Sequence, residues 1–347
     1  MLPEPPVASF ASDNASGAHP DVLAALVAAN EGPALAYGDD PITARTRARL
    51  AEVFDAPVDT LFCWGGTGAN VVGLQALLRP YEAVICADQA HLNVDECGAL
   101  ERIAGAKLID LPAPNGTLDP ADVERQLAVL GDVHHVQPKV VSITQATEQG
   151  TLYEVDHLRA IAEVAHRHGL YVHVDGARLA NAVAALGVDV AELTTRAGVD
   201  VLSFGGAKNG LLYGEAVVLF RPELVDGARF LQKQAGQLPS KMRFISAQFE
   251  ALLADDRWLR WAGHANAMAQ RLADAVADLP GVDLPRRPAV NSVFPRLDPA
   301  HIAALQDWSF FWTWDEPVGE VRWMTSWATT PDDVDRFAAG VAVVTGA

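Results

Sequence analysis

Two kinds of hydrophobic pattern alternate along the chain. Short, mainly apolar runs occupy 60–64, 83–87, 106–111, 139–144, 170–174 and 199–204. Runs of this length, bounded by Gly, Pro and polar residues, predict buried strands. Between them lie longer stretches with helical character: 20–30, 41–54, the segment from the glycine run at 65–70 to Leu78, 119–130, 156–168, and an Ala/Leu-rich piece between 174 and 199. Strand, crossover, strand, repeated, predicts a largely parallel sheet. After Phe220 the pattern changes. Pro222 opens a helical segment, a long helix is expected over 242–278, and 281–347 mixes short strands with helices. Residues 1–20, with Pro3, Pro5 and Pro6, read as an extended arm. The expected organisation is an arm over 1–20, a large domain over 21–245, and a smaller C-terminal domain with its linking helix over 246–347.

Composition narrows the class. Half of the 347 residues are hydrophobic and 20% are charged, which is globular composition. The formal charge of −18 argues against nucleic acid or an anionic membrane as partner, so any phosphate must meet local donors. Cys63, Cys86 and Cys97 are odd in number and lack C-x-x-C spacing, which speaks against a disulfide framework and a thiolate zinc site. No basic, apolar leader stands at the start and no run approaches membrane-spanning length. A reduced cytoplasm is the expected compartment. No internal repeat is visible.

The chemistry gathers at predicted strand ends. Parallel sheets bind ligands beyond the carboxyl ends of their strands. Asp175 follows the 170–174 run, and Lys208 follows the 199–204 run in a Gly-Gly-Ala-Lys-Asn loop. An acid and an amine therefore face one crevice. The pair suits pyridoxal 5′-phosphate, which takes a lysine for its Schiff base and a carboxylate to keep its ring nitrogen protonated. Taken singly, Asp175 and Arg178 also fit a helix cap and its i,i+3 partner, and Lys208 an exposed loop amine. The run GGTGAN at 65–70 can aim backbone N–H groups at an anion, or be a tight turn that needs glycine. It matches neither the P-loop nor the dinucleotide spacing. His91, past the 83–87 strand, is by itself most simply structural; beside a flat ring it could stack and exchange protons. His134 and His135 have no partner at metal spacing and read as a surface pair, and no metal site is expected. Lys233, Lys241 and Arg243 form either a solvated face or a cationic hand for phosphate. Five of the eight tryptophans fall in 281–347, as that domain's core or an interface. Among them Arg322 is a surface charge or a clamp on an α-carboxylate.

Order adds what single motifs lack. SDNASGAHP, GGTGAN, AHLNVDECG, HVDGARLANA, SFGGAKNG, KMRF and VRWMTSWAT follow one another along nearly the whole chain. Together they resemble the low-specificity L-threonine aldolases of the β-eliminating lyase superfamily. HVDGARLANA and SFGGAKNG at this separation carry most of the specificity; GGTGAN alone carries little. The resemblance implies an α/β fold of type I, the aspartate-aminotransferase-like architecture of pyridoxal-phosphate enzymes, with a mostly parallel sheet in the large domain and a smaller α+β C-terminal domain. It implies that Lys208 bonds the cofactor, Asp175 pairs with the ring nitrogen, Arg178 lies near the phenolic oxygen and His91 stacks on the ring. Gly66, Thr67 and Gly68 would hold the phosphate, with Arg243 as a further donor. Ser12 and Arg322 would grip the substrate carboxylate. Tyr37 would reach into the site, from a neighbouring subunit of a homotetramer built as a dimer of dimers.

The implied reaction is retro-aldol scission of L-threonine, L-allo-threonine or a relative such as phenylserine to glycine and an aldehyde. One position departs from the pattern: where some relatives have a His after the strand ending in QATEQG, this chain has Glu148. The base that takes the β-hydroxyl proton is open between His91, Glu148 and a phosphate-bound water. A transaldolase, a β-eliminating lyase or an aminotransferase could use the same lysine and aspartate, and a catalytically silent cofactor binder is conceivable. A nicotinamide dehydrogenase is disfavoured, because GGTGAN lacks the acidic residue of a dinucleotide fingerprint.

Overall fold

The computed structural model describes residues 1–347. Seven strands form the main sheet: β1 (Asp59–Cys63), β2 (Glu82–Ala87), β3 (Lys107–Leu111), β4 (Gln137–Thr144), β5 (Tyr171–Gly176), β6 (Val201–Phe204) and β7 (Glu215–Leu219), in the order β1-β7-β6-β5-β4-β2-β3. All neighbours from β3 to β6 pair in parallel, and β7 runs antiparallel to both β6 and β1. Every residue of β2, β6 and β7 is buried. Successive side chains point to opposite faces, so both faces are covered, which is why these strands read as unbroken apolar runs. β7 is the strand that the hydrophobic pattern left unassigned.

Thr144 stands opposite Asp175, and Asp175 opposite Ser203. This register lines up the carboxyl ends of β4, β5 and β6. The segments that follow β1, β2, β4, β5 and β6 carry Gly66, His91, Glu148, Arg178 and Lys208. The sheet therefore delivers the chemistry-bearing loops to one edge.

A second, smaller sheet is built from β8 (Val282–Asp283), β9 (Ser292–Val293), β10 (Arg296–Leu297), β11 (Trp312–Asp315) and β12 (Glu320–Met324). Its core gathers Phe311, Trp323, Phe337 and Val341 with Leu272 and Val276. Trp323 meets Phe337 edge-on at 5.1 Å, an arrangement worth ~0.5–1.5 kcal/mol beyond area burial. Phe10 of the N-terminal arm belongs to this core: it is fully buried and stacks on Phe337 at 4.2 Å. Its carbonyl accepts the Met324 N–H at 2.8 Å, and Asp333 accepts the N–H groups of Val7 and Ala8. The arm is thus fastened to the smaller sheet just before it reaches Ser12 and Asp13.

The helix expected over 242–278 is two helices, Arg243–Leu253 and Arg257–Val276. Asp255 and Asp256 between them adopt φ of 52° and 53°. Aspartate tolerates the left-handed region better than most residues, so the chain breaks here without Gly or Pro. Apolar spacing continues on both sides, which hid the break. The 119–130 helix is also shorter than expected, ending at Gln126 before a 3-10 turn.

Candidate active site

β5 ends in a buried carboxylate. Asp175 Oδ2 accepts from Asn70 Nδ2 at 2.8 Å, and Oδ1 from the Ala177 N–H at 2.9 Å. The loop after β6 passes directly against this turn. A Cβ at Gly205 would collide with the Ala177 carbonyl oxygen, and one at Gly206 would lie 2.7 Å from that of Gly214. Only glycines permit the approach, and it brings Lys208 beside the end of β5. Burial lowers the Lys208 amine below its ordinary value; the nearby Arg178 lowers it further, while Asp13, Asp175 and Glu215 oppose.

Arg178 forms a two-pronged ion pair with Asp13, Nε to Oδ2 at 2.7 Å and Nη2 to Oδ1 at 3.0 Å. Asn291 donates to the same carboxylate at 3.1 Å. Burial alone would raise the Asp13 carboxyl, but Arg178 overrides it and holds the group at about 2. Ser12 Oγ lies 3.4 Å from Asp13 Oδ1. Arg322 lies over the Trp314 ring at 4.8 Å. Burial first, then Arg178, lowers the Arg322 guanidinium to about 10, and its buried Nε has no hydrogen-bond partner. An acidic chain thus gathers two guanidinium groups, Arg178 and Arg322, with the Lys208 amine.

The glycine turn joins β1 to a ten-residue helix, Gly66–Gln75. Gly65 is its N-cap without a side-chain bond, so the first N–H groups are left for another acceptor. A Cβ on Gly65 or Gly66 would meet nothing within 4 Å, whereas one on Gly68 would strike the Gln237 side chain. Gln237 Oε1 also accepts the Trp64 N–H at 3.1 Å, so this glutamine closes one side of the turn.

After β2, His91 Nδ1 lies 2.9 Å from Glu96 Oε1, which also accepts Asn70 Nδ2 at 2.9 Å. The Glu96 hydrogen bond raises the imidazole pKa against the opposing effect of burial. The His91 N–H donates to Glu148 Oε1 at 2.8 Å, and Thr144 Oγ1 donates to the same oxygen at 2.8 Å. Burial raises Glu148 above the usual carboxylate range. Lys208, Asp175, Arg178, His91, Glu148, Ser12 and Arg322 therefore share one neighbourhood.

Two expected residues stand apart within the chain. Arg243 opens its helix and donates to the Gly32 carbonyl at 2.9 Å, with no hydrogen bond to the glycine turn. Tyr37 is half exposed, with Lys233 Nζ over its ring at 4.8 Å and its N–H on the Ser240 carbonyl. Asp13, Asn70, Glu96 and Asn291 were not singled out from sequence. Asp13, Asn70 and Glu96 lie inside recognised motifs, but each acts through another side chain: Asp13 and Asn70 through partners distant in sequence, and Glu96 through His91 five positions before it.

The residues present fit pyridoxal 5′-phosphate. A carboxylate already held by two donors suits a ring nitrogen. An uncapped helix start beneath open space suits a phosphate. A desolvated amine suits bonding to an aldehyde carbon. The orphaned Arg322 Nε suits a carboxylate.

A mostly parallel seven-stranded sheet with these groups at its carboxyl edge, joined to a smaller sheet, defines the fold type I class of pyridoxal-phosphate enzymes. The beta-eliminating lyase family model matches residues 9–300, and the chain belongs to that family. It is 44% identical over 341 residues to the low specificity L-threonine aldolase of Pseudomonas aeruginosa, covering 97% of this chain and 98% of that one. It is 43% identical, with the same coverage, to the low specificity L-threonine aldolase of Pseudomonas sp. strain NCIMB 10558. The structure of Leishmania major threonine aldolase superposes with a TM-score of 0.91 at 33% identity, covering 97% of this chain and 99% of that one.

Proposed function

We propose that this chain is a pyridoxal 5′-phosphate-dependent aldehyde-lyase that cleaves L-threonine, L-allo-threonine and related β-hydroxy-α-amino acids to glycine and an aldehyde. The observation that carries the reading is the grouping of a desolvated Lys208, a doubly held Asp175 and an unpartnered Arg322 Nε around the Asp13–Arg178 pair. The family relationship over nearly the full length supports it.

The cofactor, bonded to Lys208, supplies a sink for the electron pair freed when Cα–Cβ breaks. The remaining work falls to the chain. Asp175, oriented by Asn70 and Ala177, keeps a proton on the ring nitrogen. Gly66, Thr67 and Gly68 would offer backbone N–H groups to the phosphate; Arg243 would add a further donor only by turning from the Gly32 carbonyl. Arg178, held in place by Asp13, would present its charge to the ring oxygen. His91 would stack on the ring. Ser12 and Arg322 grip the α-carboxylate. That grip sets which Cα bond is aligned for breaking, so it controls reaction type as well as affinity. His91, Glu148 or a phosphate-bound water takes the β-hydroxyl proton.

The same reading includes a division into 1–20, 21–245 and 246–347; two separate cores support two units, with Phe249, Leu252, Leu253, Trp258 and Ala262 packed in the larger core and Phe10 in the smaller. It includes a homotetramer with Tyr37 serving a neighbouring site. Leu23, Val27, Leu35, Tyr37 and Phe230 are exposed apolar groups that a second copy would cover. No helix is long and apolar enough to cross a membrane, and a cytoplasmic location is part of the proposal. The test is incubation of the cofactor-loaded protein with threonine, allo-threonine and phenylserine epimers, with glycine and aldehyde quantified. Release of neither product overturns it.

A further inference from the structure

Four side chains from three separate segments form one hydrogen-bonded line: His91, Glu96, Asn70 and Asp175. The Asn70 amide nitrogen lies between two carboxylates, 2.9 Å from Glu96 Oε1 and 2.8 Å from Asp175 Oδ2. The opposite amide orientation would set its oxygen against both acids, so the nitrogen is the donor at each. Glu96 is buried, its side chain 1% exposed, and the imidazole is the only basic side chain within hydrogen-bond reach of it. An ionised Glu96 can only accept. With Asn70 donating to Oε1 from one side, His91 Nδ1 must carry its proton on the other. The neutral ring then has Nε2 bare. That edge makes no hydrogen bond within the chain, and the His91 side chain is 40% exposed. Glu148 serves the backbone of His91, not its ring. Its Oε1 receives the His91 N–H and the Thr144 hydroxyl, which anchors the residue that carries the imidazole.

We propose that Glu96 is a positioning residue that fixes His91 as the Nδ1–H tautomer with Nε2 as proton acceptor, and that Asn70 couples this pair to Asp175. The inference rests on the aldolase reading for its chemical purpose. It names the base: His91 Nε2 takes the proton of the substrate's β-hydroxyl as the Cα–Cβ bond breaks, and the oxygen's electron pair becomes part of the aldehyde carbonyl. The arrangement follows the logic of a catalytic triad, with a base oriented by a buried acid through its other ring nitrogen.

The charged groups facing His91 are Glu96 and Asp175, which favour its cationic form, and Lys208, which disfavours it. Glu148 contacts it through the backbone. Removing the Glu96 charge should lower the imidazole pKa. Removing Asn70 strips a donor from both acids, leaves more negative potential at the ring, and should raise it. Opposite signs separate this proposal from general damage.

The test compares wild type, Glu96→Gln and Asn70→Ala, all cofactor-loaded, in two ways. In the pH profile of kcat/KM for glycine release, the acid limb moves down by about half a pH unit or more in Glu96→Gln and up in Asn70→Ala. The rate of Glu96→Gln falls by roughly 10-fold or more on the plateau, with bound cofactor retained. Independently, an NMR titration of the His91 ring, assigned by its loss in His91→Gln, shows the same two shifts and the Nδ1–H tautomer in wild type. That titration needs no turnover, so it remains decisive if no glycine is released. A limb and a ring titration that stay put in Glu96→Gln, or that move the same way in both variants, overturn the proposal. So does an Nε2–H tautomer in wild type.

Discussion

Asp13 and Arg178 are 165 positions apart in the chain and joined by two short hydrogen bonds in the fold. The pair makes stability depend on pH. Asp13 is held at about 2, below its unfolded value, so the unfolded chain binds the proton more readily. The stabilisation is complete above the unfolded pKa near 4 and is lost as pH falls from there through about 2. For a buried group the loss is on the order of 2 kcal/mol. Denaturation of Asp13→Asn across pH 6 to 3 should show a flatter acid slope than wild type; parallel slopes would contradict the pairing. Glu148 supports a second prediction at this scale. Glu148→Gln keeps an oxygen for the His91 N–H but removes the charge, so rate or threo/erythro preference changes while cofactor binding holds. Unchanged kinetics on both epimers, with cofactor bound, would exclude a role for that charge.

Among the elements, the N-terminal arm carries more than its irregular sequence suggests. Phe10 fills the smaller core against Phe337, and the next turn places Ser12 and Asp13 at the site. Phe10→Ala should cost about 3 kcal/mol or more in stability from the cavity alone. It should also raise KM more than it lowers kcat, because the carboxylate grip loosens while Lys208 and Asp175 stay in place. Chemical denaturation and steady-state kinetics check the two parts; an unchanged KM would separate the arm from the site. Strands were legible because burial on both faces leaves an unbroken apolar run, as in β2 and β6. β7 was missed although it is equally apolar, since it returns antiparallel within a stretch that reads as one crossover unit. The helix break at Asp255 and Asp256 was hidden because apolar periodicity counts side chains and does not register two left-handed backbone residues.

For the whole molecule, the strand order and register turned widely spaced motifs into one site, and that convergence was legible from strand-end positions. The supporting layer was not. Asn70 and Asn291 gain meaning only from partners 26, 105 or 278 positions away, and Glu96 from a contact with His91 that spacing alone does not show. Tyr37 marks the limit of a single chain, since its contacts here are Lys233 and Ser240. If it serves a neighbouring site, mixing Lys208→Ala with Tyr37→Ala chains, each weakly active, should restore up to about a quarter of wild-type activity through sites that take one intact residue from each subunit. A mixture that is only the sum of its parts, in an oligomer shown to exchange subunits, would place Tyr37 outside the site.

The catalytic roles of these side chains depend on Lys208 bonding the cofactor through which Cα–Cβ is cleaved. The decisive experiment is paired: the visible absorption band of the reconstituted protein, and the glycine and aldehyde it releases from threonine and phenylserine, in wild type and in Lys208→Ala. The expected outcome is a band and equimolar glycine and aldehyde in wild type, with both lost in the variant. A band that persists in Lys208→Ala, or wild-type turnover to the corresponding 2-oxo acid and ammonia in place of glycine and an aldehyde, would contradict it.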